Sequence, residues 1–251
     1  MMNIASQIIS WLKDYADSAG KDGFVVGISG GVDSSLTSTL CAQTGKEVLA
    51  IRMPIHQIKN QDDLSRKHGE WLEENFENVK VIEVNLSQVF DSFVELLNEE
   101  NKSDLSLANT RSRIRMIALY QFASTRNALV AGTGNKVEDF GVGFFTKYGD
   151  GGVDISPIAD LYKSEVRETA KNLGVIQEII DAAPTDGLWE DGRTDEDQLG
   201  ATYEELEWAM SYSGEDSLTD RQNEILEIYD QHHTANLHKM KEIPVFKISG
   251  D

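Results

Sequence analysis

The chain has 251 residues, 40% of them hydrophobic and 26% charged, and its 43 acidic against 23 basic side chains give a net charge of −20. Such an acidic surface repels nucleic acid and anionic membranes, which argues against a broad polyanion-binding face. The single cysteine, Cys41, excludes an internal disulfide and a cysteine-rich metal site, and the absence of a signal or membrane-length apolar run predicts a cytoplasmic protein.

Apolar periodicity predicts alternating helices and strands along the chain. An amphipathic helix carries Ile4, Ile8, Trp11, Leu12 and Tyr15. Strands are predicted at 24–29, 47–54, 80–86 and 128–133, and helices at 33–44, 61–75, 87–98 and 106–126. In the last helix, Ile114, Ile117, Ala118, Gln121 and Phe122 are expected to mark one face. Continuous apolar strands that alternate with helices predict an α/β, doubly wound, mainly parallel sheet with helices on both faces.

The pattern changes after residue 135. The segment FGVGFFTKYGDGGVDISPIADLYK is rich in glycine and has no periodicity, which predicts a long loop that is either ordered or closes over the site. Helices are predicted at 162–173 and 176–182, an irregular acidic stretch at 184–199, and further C-terminal helices at 203–211 and 218–230. We interpret these helices as additions to one domain that spans 1–251.

A glycine turn follows the first predicted strand, in the sequence GISGGVDSS. It lacks the lysine of a Walker A loop, and its glycines do not match the G-x-G-x-x-G dinucleotide fingerprint. The simplest interpretation is a helix start capped by Asp33 or Ser34. The alternative is an anion site, because a glycine turn points backbone N–H groups and a helix N-terminus at one spot.

The order Ser29-Gly30-Gly31-Val32-Asp33-Ser34 resembles the pyrophosphate loop of the ATP pyrophosphatase superfamily, whose members activate a substrate by adenylation. The glycines would let backbone amides approach phosphate oxygens, and Ser29, Ser34 and Ser35 could add hydroxyl donors. Asp33 would repel phosphate unless a cation, Mg²⁺, lay between them.

Further motifs resemble the ammonia-dependent NAD⁺ synthetase family along nearly the whole chain. They are NTRSRIRM, GTGNKVEDF, GFFTKYGDGGVDISPIADLYKSEVR, PTDGLWEDGRTDEDQLGATYEELE and HKMKEIP. The resemblance implies a ligase that converts deamido-NAD⁺ and ammonia to NAD⁺ with ATP, releasing AMP and pyrophosphate through an acyl-adenylate. It also implies a homodimer, with no nucleic-acid or membrane partner.

The resemblance also implies site residues. Catalytic positions are Asp33, Glu138 and Lys163, and Mg²⁺ would be shared by Asp33 and Glu138. The ATP site would comprise Gly27, Ile28, Ser29, Gly30, Gly31, Val32, Asp33, Ser34, Arg52, Thr133, Lys163 and Thr185. The deamido-NAD⁺ site would comprise Arg115, Lys147, Asp154, His238 and Lys239. The chain departs from the family pattern at Gly134-Asn135-Lys136, where the family often has His or Asp after the threonine.

Other interpretations remain open at this stage. A different ligase on the same loop, such as GMP synthetase or a tRNA-modifying enzyme, or a nucleotide-binding sensor of the universal-stress type would share the first turn. Arg111, Arg113 and Arg115 could form a solvated helix face, although in so acidic a chain they favour an anion partner. The histidines at 232, 233 and 238 suggest zinc only weakly, because no further ligands occur at metal spacing.

Overall fold

The computed structural model describes residues 3–57, 59–185, 194–214 and 217–248, and for residues 59–62 it describes the backbone alone. Its helices are α1 (Ile4–Ser18), α2 (Val32–Gln43), α3 (Lys59–Asn75), α4 (Ser87–Glu95), α5 (Asp104–Thr125), α6 (Lys163–Asn172), α7 (Gln177–Ile180), α8 (Asp195–Leu199), α9 (Tyr203–Ser211) and α10 (Asp220–Met240). Its strands are β1 (Gly23–Gly27), β2 (Glu47–Arg52), β3 (Val79–Glu83) and β4 (Ala128–Val130). A short 3₁₀ turn, Glu99–Asn101, precedes α5.

The described strands form one parallel sheet in the order β3-β2-β1-β4. The chain runs from β1 outward to β3 and then crosses back to place β4 on the other side of β1. This reversal opens a crevice at the carboxyl ends of β1 and β4, which is where open α/β sheets bind ligands. The α/β prediction is therefore confirmed.

Two apolar layers cover the sheet. On one face α1, α2, α3 and α6 pack around Leu12, Phe24, Leu36, Leu72 and Val166, and on the other face α4 and α5 pack around Val25, Ile51, Phe90, Met116 and Val130. A third cluster joins α9 and α10 to a π-helical turn, Val137–Val142, that follows β4. The C-terminal helices therefore pack against the segment that borders the crevice.

The predicted strands extend too far at their carboxyl ends. The first ends at Gly27 instead of 29, the second at Arg52 instead of 54, and the fourth at Val130 instead of 133. Beyond these points the backbone leaves the ladder to form the crevice. Pro54, which has no N–H to donate, follows the second strand at its edge.

The predicted face of the 106–126 helix is partly correct. Ile114 is buried, and Ala118 and Phe122 pack against the core, whereas Gln121 is exposed and Ile117 is 71% exposed. The other buried side chains of α5 are Ala108, Ser112, Met116, Leu119 and Ala123. The core face of α5 therefore includes small residues, Met and Leu that the prediction did not single out.

Two predictions for the second half of the chain also change. The helix predicted at 218–230 runs on to Met240, and part of the predicted closing loop forms the π-helical turn. Thr219 and Gln222 form a capping box at the start of α10. Of the predicted irregular stretch 184–199, residues 195–199 form α8, and residues 186–193 lie outside the described residues.

Candidate functional site

The turn between β1 and α2 presents helix amides to the crevice. Gly31 is the N-cap of α2, and no side chain of the described residues caps this end. The prediction of a cap by Asp33 or Ser34 is therefore wrong. Instead, the Ser34 hydroxyl donates to the Gly31 carbonyl at 3.1 Å and accepts from the Ser29 amide at 3.2 Å, which fixes the turn.

Gly30 lies at the tightest point of this turn, with φ of 89°, a conformation that side-chain-bearing residues rarely adopt. The whole predicted loop from Gly27 to Ser34 lines one cavity of about 920 Å³. Ser35, which we also expected to reach a phosphate, is instead buried and donates to the Gly31 carbonyl at 2.9 Å. The site geometry is that of an anion-binding helix start.

Two carboxylates and an ammonium meet at the base of the cavity. Lys163 Nζ lies 2.5 Å from Asp33 Oδ2 and 3.1 Å from Glu138 Oε1, and the lysine is 2% exposed. Lys163 begins α6, Asp33 lies in the first turn of α2, and Glu138 lies in the π-helical turn. The structure therefore brings together the three predicted catalytic residues from separate elements.

The charges of this cluster shift one another's pKa values. Burial raises the pKa of Glu138, and the charge of Lys163 only partly opposes this while Asp33 adds to it. Burial lowers the pKa of Lys163, but the charges of Asp33 and Glu138 outweigh burial, and the net pKa is raised. The lysine therefore stays protonated and neutralises part of the buried negative charge.

Asn135, which the sequence marked only as a departure, joins the two carboxylate elements. Its side chain is fully buried, and its amide donates to Asp33 Oδ1 at 3.0 Å. Its carbonyl oxygen accepts from the amides of Val137 and Glu138, each at 3.1 Å. Lys136, whose ammonium could have faced the phosphates, instead bonds Asp160 at 2.9 Å and lies over the Tyr162 ring.

The C-terminal helices add two polar residues to the cluster. Tyr203 begins α9, is 1% exposed, and donates its hydroxyl to Glu138 Oε1 at 2.6 Å. The same hydroxyl lies 3.3 Å from Asp195 Oδ2, on α8. Both residues lie in the quoted stretch PTDGLWEDGRTDEDQLGATYEELE, but sequence reasoning did not assign either of them a role.

The remaining predicted ATP residues, Arg52, Thr133 and Thr185, also line the cavity. Arg52 closes β2, where its Nε donates to Ser65 Oγ at 3.1 Å and its Nη1 pairs with Glu83 at 2.9 Å. These contacts hold the guanidinium stem against the sheet. Arg167, which the sequence did not single out, also lines the cavity, and its Nε is buried without a hydrogen-bond partner among the described residues.

Of the predicted dinucleotide residues, the structure brings Arg115, Lys147, His238 and Lys239 to the cavity. Arg115 Nε donates to the Met53 carbonyl at 3.0 Å, and its Nη2 donates to Gln57 Oε1 at 3.0 Å. The three arginines of α5 diverge, because Arg111 lies over the Phe90 ring while Arg113 donates to the Lys147 carbonyl. They do not form one solvated face.

Asp154 is placed differently from the other four. It is not among the described residues that line the cavity. Its carboxylate accepts from the Tyr120 hydroxyl at 3.0 Å and from the Val130 amide at 2.8 Å. In this chain the residue braces the segment after the glycine loop against β4.

One face of α10 holds the carbonyls of the glycine-rich segment. His233 Nδ1 lies 2.7 Å from the Gly141 carbonyl, Asn236 donates to the Val142 carbonyl at 2.9 Å, and Lys239 donates to the Gly143 and Phe145 carbonyls at 2.5 and 2.8 Å. In return, Lys147 donates to the His238 carbonyl at 3.1 Å. These residues stand three apart, so the helix backbone itself sets their spacing.

The opposite side of the same segment is held by α5. Asp150 Oδ1 accepts from Ser112 Oγ at 2.5 Å and from the Thr146 amide at 3.1 Å, and Thr146 donates to Asn109 at 2.7 Å. The predicted closing loop is thus bonded to α5 and α10. Asn109 and Ser112 lie in the quoted motif NTRSRIRM but were given no role, and Asn236 was missed because an isolated polar residue within a helix resembles a solvated position.

A zinc site at the histidines is not seen in the described part of the chain, where no group of three or more His, Cys, Asp or Glu side chains is arranged to hold a metal. His232, His233 and His238 each contact a backbone carbonyl. No helix of the described residues is long and apolar enough to cross a membrane.

Comparison with known proteins shows which family this chain resembles. The model of the NAD synthase family matches residues 4–249. The NH₃-dependent NAD⁺ synthetase of Carboxydothermus hydrogenoformans is 39% identical over 219 residues, which cover 85% of this chain and 87% of that protein.

Two solved structures share the fold closely. An NMN synthetase from Francisella tularensis superposes with a TM-score of 0.87 and 31% identity, covering 98% of each chain. An NH₃-dependent NAD synthetase from Campylobacter jejuni superposes with a TM-score of 0.79 and 27% identity, covering 98% of this chain and 100% of that one.

Proposed function

Because the chain belongs to the NAD synthase family, we propose that it amidates deamido-NAD⁺ with ammonia at the expense of ATP, giving NAD⁺, AMP and pyrophosphate. One observation carries the proposal. A single cavity joins the uncapped start of α2, the Asp33–Lys163–Glu138 cluster and the cationic residues Arg115 and Lys147. Its volume of about 920 Å³ is at the upper end for a small-molecule site, as two nucleotides require.

The first step activates a carboxylate. An oxygen of the substrate's nicotinate carboxylate bonds to the α-phosphorus of ATP, and the bond from that phosphorus to the bridging oxygen of pyrophosphate breaks. The α2 amides and the Ser29–Ser34 turn would bind the departing phosphates, and Lys163 would place a fixed positive charge beside them. Arg52, Thr133 and Thr185 would bind the rest of the ATP molecule.

Mg²⁺ fits the residues at this site. Asp33 and Glu138 both pair with the Lys163 ammonium. Asp195 lies beside them through the Tyr203 hydroxyl, so the described cluster holds three carboxylates and one ammonium. Mg²⁺ typically takes one or two carboxylates together with substrate phosphates. Asp33 and Glu138 would hold the ion, and when bound it would neutralise phosphate charge.

The second step forms the amide. Neutral ammonia attacks the acyl carbon, AMP departs with the electrons of the carbon–oxygen bond, and the new nitrogen loses a proton. An acyl-adenylate would be lost to hydrolysis if water reached it. The 141–152 segment, bonded to α5 and α10, would cover the intermediate, while Arg115, Lys147, His238 and Lys239 would position the dinucleotide. Asp154 would act indirectly, by bracing this segment.

Ammonia, and not glutamine hydrolysed on this chain, is the nitrogen donor. Glutaminases of the common kind use a reactive cysteine thiolate beside a base. Cys41 is buried within α2, and burial raises the pKa of its thiol, so the thiolate is not accessible. The curated relative from Carboxydothermus carries the same donor in its name.

A second candidate substrate is the mononucleotide. The Francisella structure is an NMN synthetase, and its TM-score of 0.87 exceeds the 0.79 of the Campylobacter NAD synthetase at similar coverage of this chain. The same chemistry would then act on nicotinate mononucleotide, which lacks the adenylate half. The ratio of kcat/KM for the two acids, measured with saturating ATP, Mg²⁺ and ammonium, separates the two functions, and a ratio well above one for deamido-NAD⁺ is our expectation.

We also propose that the chain forms a single domain over 1–251 and acts as a cytoplasmic homodimer. Support for the dimer comes from the exposed apolar side chains of α4, its C-cap and α5, which are Val89, Phe93, Leu96, Leu105 and Ile117. Exposed apolar patches of this kind mark protein–protein contacts.

A further inference from the structure

The Tyr203 side chain has two parts with different surroundings, an apolar ring and a polar hydroxyl. The ring lies in the apolar cluster of α9, α10 and the π-helical turn, and the Lys163 ammonium sits 4.6 Å from its centre. A phenol hydroxyl buried this deeply needs a partner, and it has Glu138 Oε1 at 2.6 Å. Phenylalanine would fill the same space without that bond.

Of the two proposed cation ligands, Glu138 is the one that lies on irregular backbone, and the bond constrains its carboxylate. Asp33 lies in the regular helix α2, whereas Glu138 lies in a π-helical turn, whose residues have less regular hydrogen bonding. Asn135 fixes the backbone amide of Glu138, and Lys163 and Tyr203 hold its carboxylate. Lys163 contacts both Asp33 and Glu138, whereas the Tyr203 hydroxyl bonds Glu138 and not Asp33.

The same hydroxyl connects Glu138 to the C-terminal part of the chain. It lies 3.3 Å from Asp195, whose amide donates to the Pro184 carbonyl at 3.0 Å. The Tyr203 amide donates to Glu196 at 3.1 Å. Through Asp195, Tyr203 therefore connects Glu138 to α8 and to Pro184.

Resting on the function proposed above, we propose that Tyr203 is a positioning residue for the divalent-cation site. It holds the Glu138 carboxylate toward Asp33, and through Asp195 it makes that orientation depend on the docking of α8 and α9. A residue that orients a metal ligand through a hydrogen bond changes metal affinity by about 10- to 100-fold when it is removed. The hydroxyl alone has this role, since the ring packs in the apolar cluster whether or not the hydroxyl is present.

The test measures cation binding directly and not through turnover. Mn²⁺ is titrated into the full chain in the presence of α,β-methylene-ATP, with electron paramagnetic resonance reporting the bound ion. Tyr203→Phe should weaken Mn²⁺ binding by about 10-fold or more. Tyr229→Phe, in the same apolar cluster and stacked on His233, is the matched control and should bind Mn²⁺ like the wild type. All titrations are run below the melting temperature of the least stable variant.

A double-mutant cycle separates positioning from general loosening of the fold. If the hydroxyl acts through Glu138, adding Tyr203→Phe to Glu138→Gln should change Mn²⁺ affinity by no more than about 2-fold. Equal Mn²⁺ affinity in Tyr203→Phe and wild type, or full additivity with Glu138→Gln, overturns the inference. Failure of the wild type to make NAD⁺ would remove the proposed function alone, because the Mn²⁺ titration needs no turnover.

Discussion

Asp33 and Lys163 are 130 residues apart in sequence, yet the carboxylate and the ammonium lie 2.5 Å apart at the carboxyl edge of the sheet. The first follows β1, and the second begins the helix that packs against α2 on the same face. Both side chains are shielded from solvent, so the pair is exposed to little dielectric screening. The contact therefore links folding stability to the chemistry of the site.

Loss of the Lys163 ammonium should destabilise the protein. Lys163→Met leaves Asp33 and Glu138 buried beside each other without a counter-charge, which costs about 3 to 5 kcal/mol in comparable buried pairs. Lys136→Met is the control, because that ammonium pairs with the exposed Asp160 and should cost about 1 kcal/mol or less. Urea unfolding in the presence of a chelator measures both values. Equal losses for the two variants would contradict the buried-pair account.

Asp33→Asn tests the proposed cation role in the first chemical step. The variant keeps the size of the side chain but loses the charge that a divalent cation needs, so pyrophosphate release should fall by at least about 100-fold. The circular dichroism spectrum should not change. Asp160→Asn, a surface carboxylate on a neighbouring segment, should retain normal release. Near-normal turnover by Asp33→Asn would refute the metal assignment.

The α10 contacts with the glycine-rich segment should matter for the dinucleotide more than for ATP. Asn236→Ala removes the donor to the Val142 carbonyl and loosens the segment that carries Lys147, so KM for deamido-NAD⁺ should rise about 10-fold. KM for ATP should change much less. Asn223→Ala serves as control, because Asn223 lies on the same helix and its side-chain amide donates to the Thr219 carbonyl at 3.1 Å instead. A uniform rise in both KM values for Asn236→Ala would show that the α10 contacts with the glycine-rich segment do not act selectively on the dinucleotide.

His68 should make stability depend on pH. The ring is fully buried, bonded to Ser38 at 2.9 Å and stacked on Trp71, and burial lowers its pKa from 6.5 to about 3. The unfolded chain therefore binds one more proton than the folded chain between pH 6.5 and 3. The contribution of His68 to the free energy of unfolding is fully present above pH 6.5 and is lost as pH falls. At pH 5 this loss amounts to about 2 kcal/mol.

The variant His68→Gln should flatten this part of the pH dependence. His56→Gln, whose ring is half exposed and paired with Asp91, provides the matched control. Unfolding free energies at pH 7 and pH 5 for the three proteins give the comparison. A pH slope in His68→Gln as steep as that of the wild type would exclude His68 as its source.

The exposed apolar side chains of α4 and α5 should hold the proposed dimer together. Ile117 is 71% exposed, so Ile117→Asp places a charge in the proposed interface, and light scattering should show a monomer. Ile4 of α1 is 40% exposed, and Ile4→Asp should leave the mass of the wild-type assembly unchanged. A dimer that persists in Ile117→Asp would place the interface elsewhere.

Much of this site could be predicted from sequence because its backbone is encoded locally. Ser29 to Ser34 follow an apolar β-branched strand and lead into a helix, so residue type alone predicts a turn at a helix start there. Lys163 and Glu138 came from a family resemblance, and no local periodicity would have placed them beside Asp33. Their meeting depends on the sheet order, in which β4 lies next to β1.

The residues that sequence reasoning missed act through hydrogen bonds inside the fold. Asn135, Tyr203 and Asn236 each donate to an oxygen within the fold, and a polar residue that does this looks like any solvated one in a linear pattern. The misassignment of Ile117 on α5 has a related cause, since this side chain is apolar but exposed. Periodicity identifies which residues are apolar and cannot tell a core from an interface.

The path of one oxygen atom tests the central claim most directly. Deamido-NAD⁺ labelled with ¹⁸O in its nicotinate carboxylate is incubated with the protein, ATP, Mg²⁺ and ammonium, and the products are separated by mass. Attack on the α-phosphorus predicts one labelled oxygen in each AMP released with NAD⁺, and unlabelled pyrophosphate. Label in inorganic phosphate together with ADP, or AMP without label, would contradict an acyl-adenylate at this site.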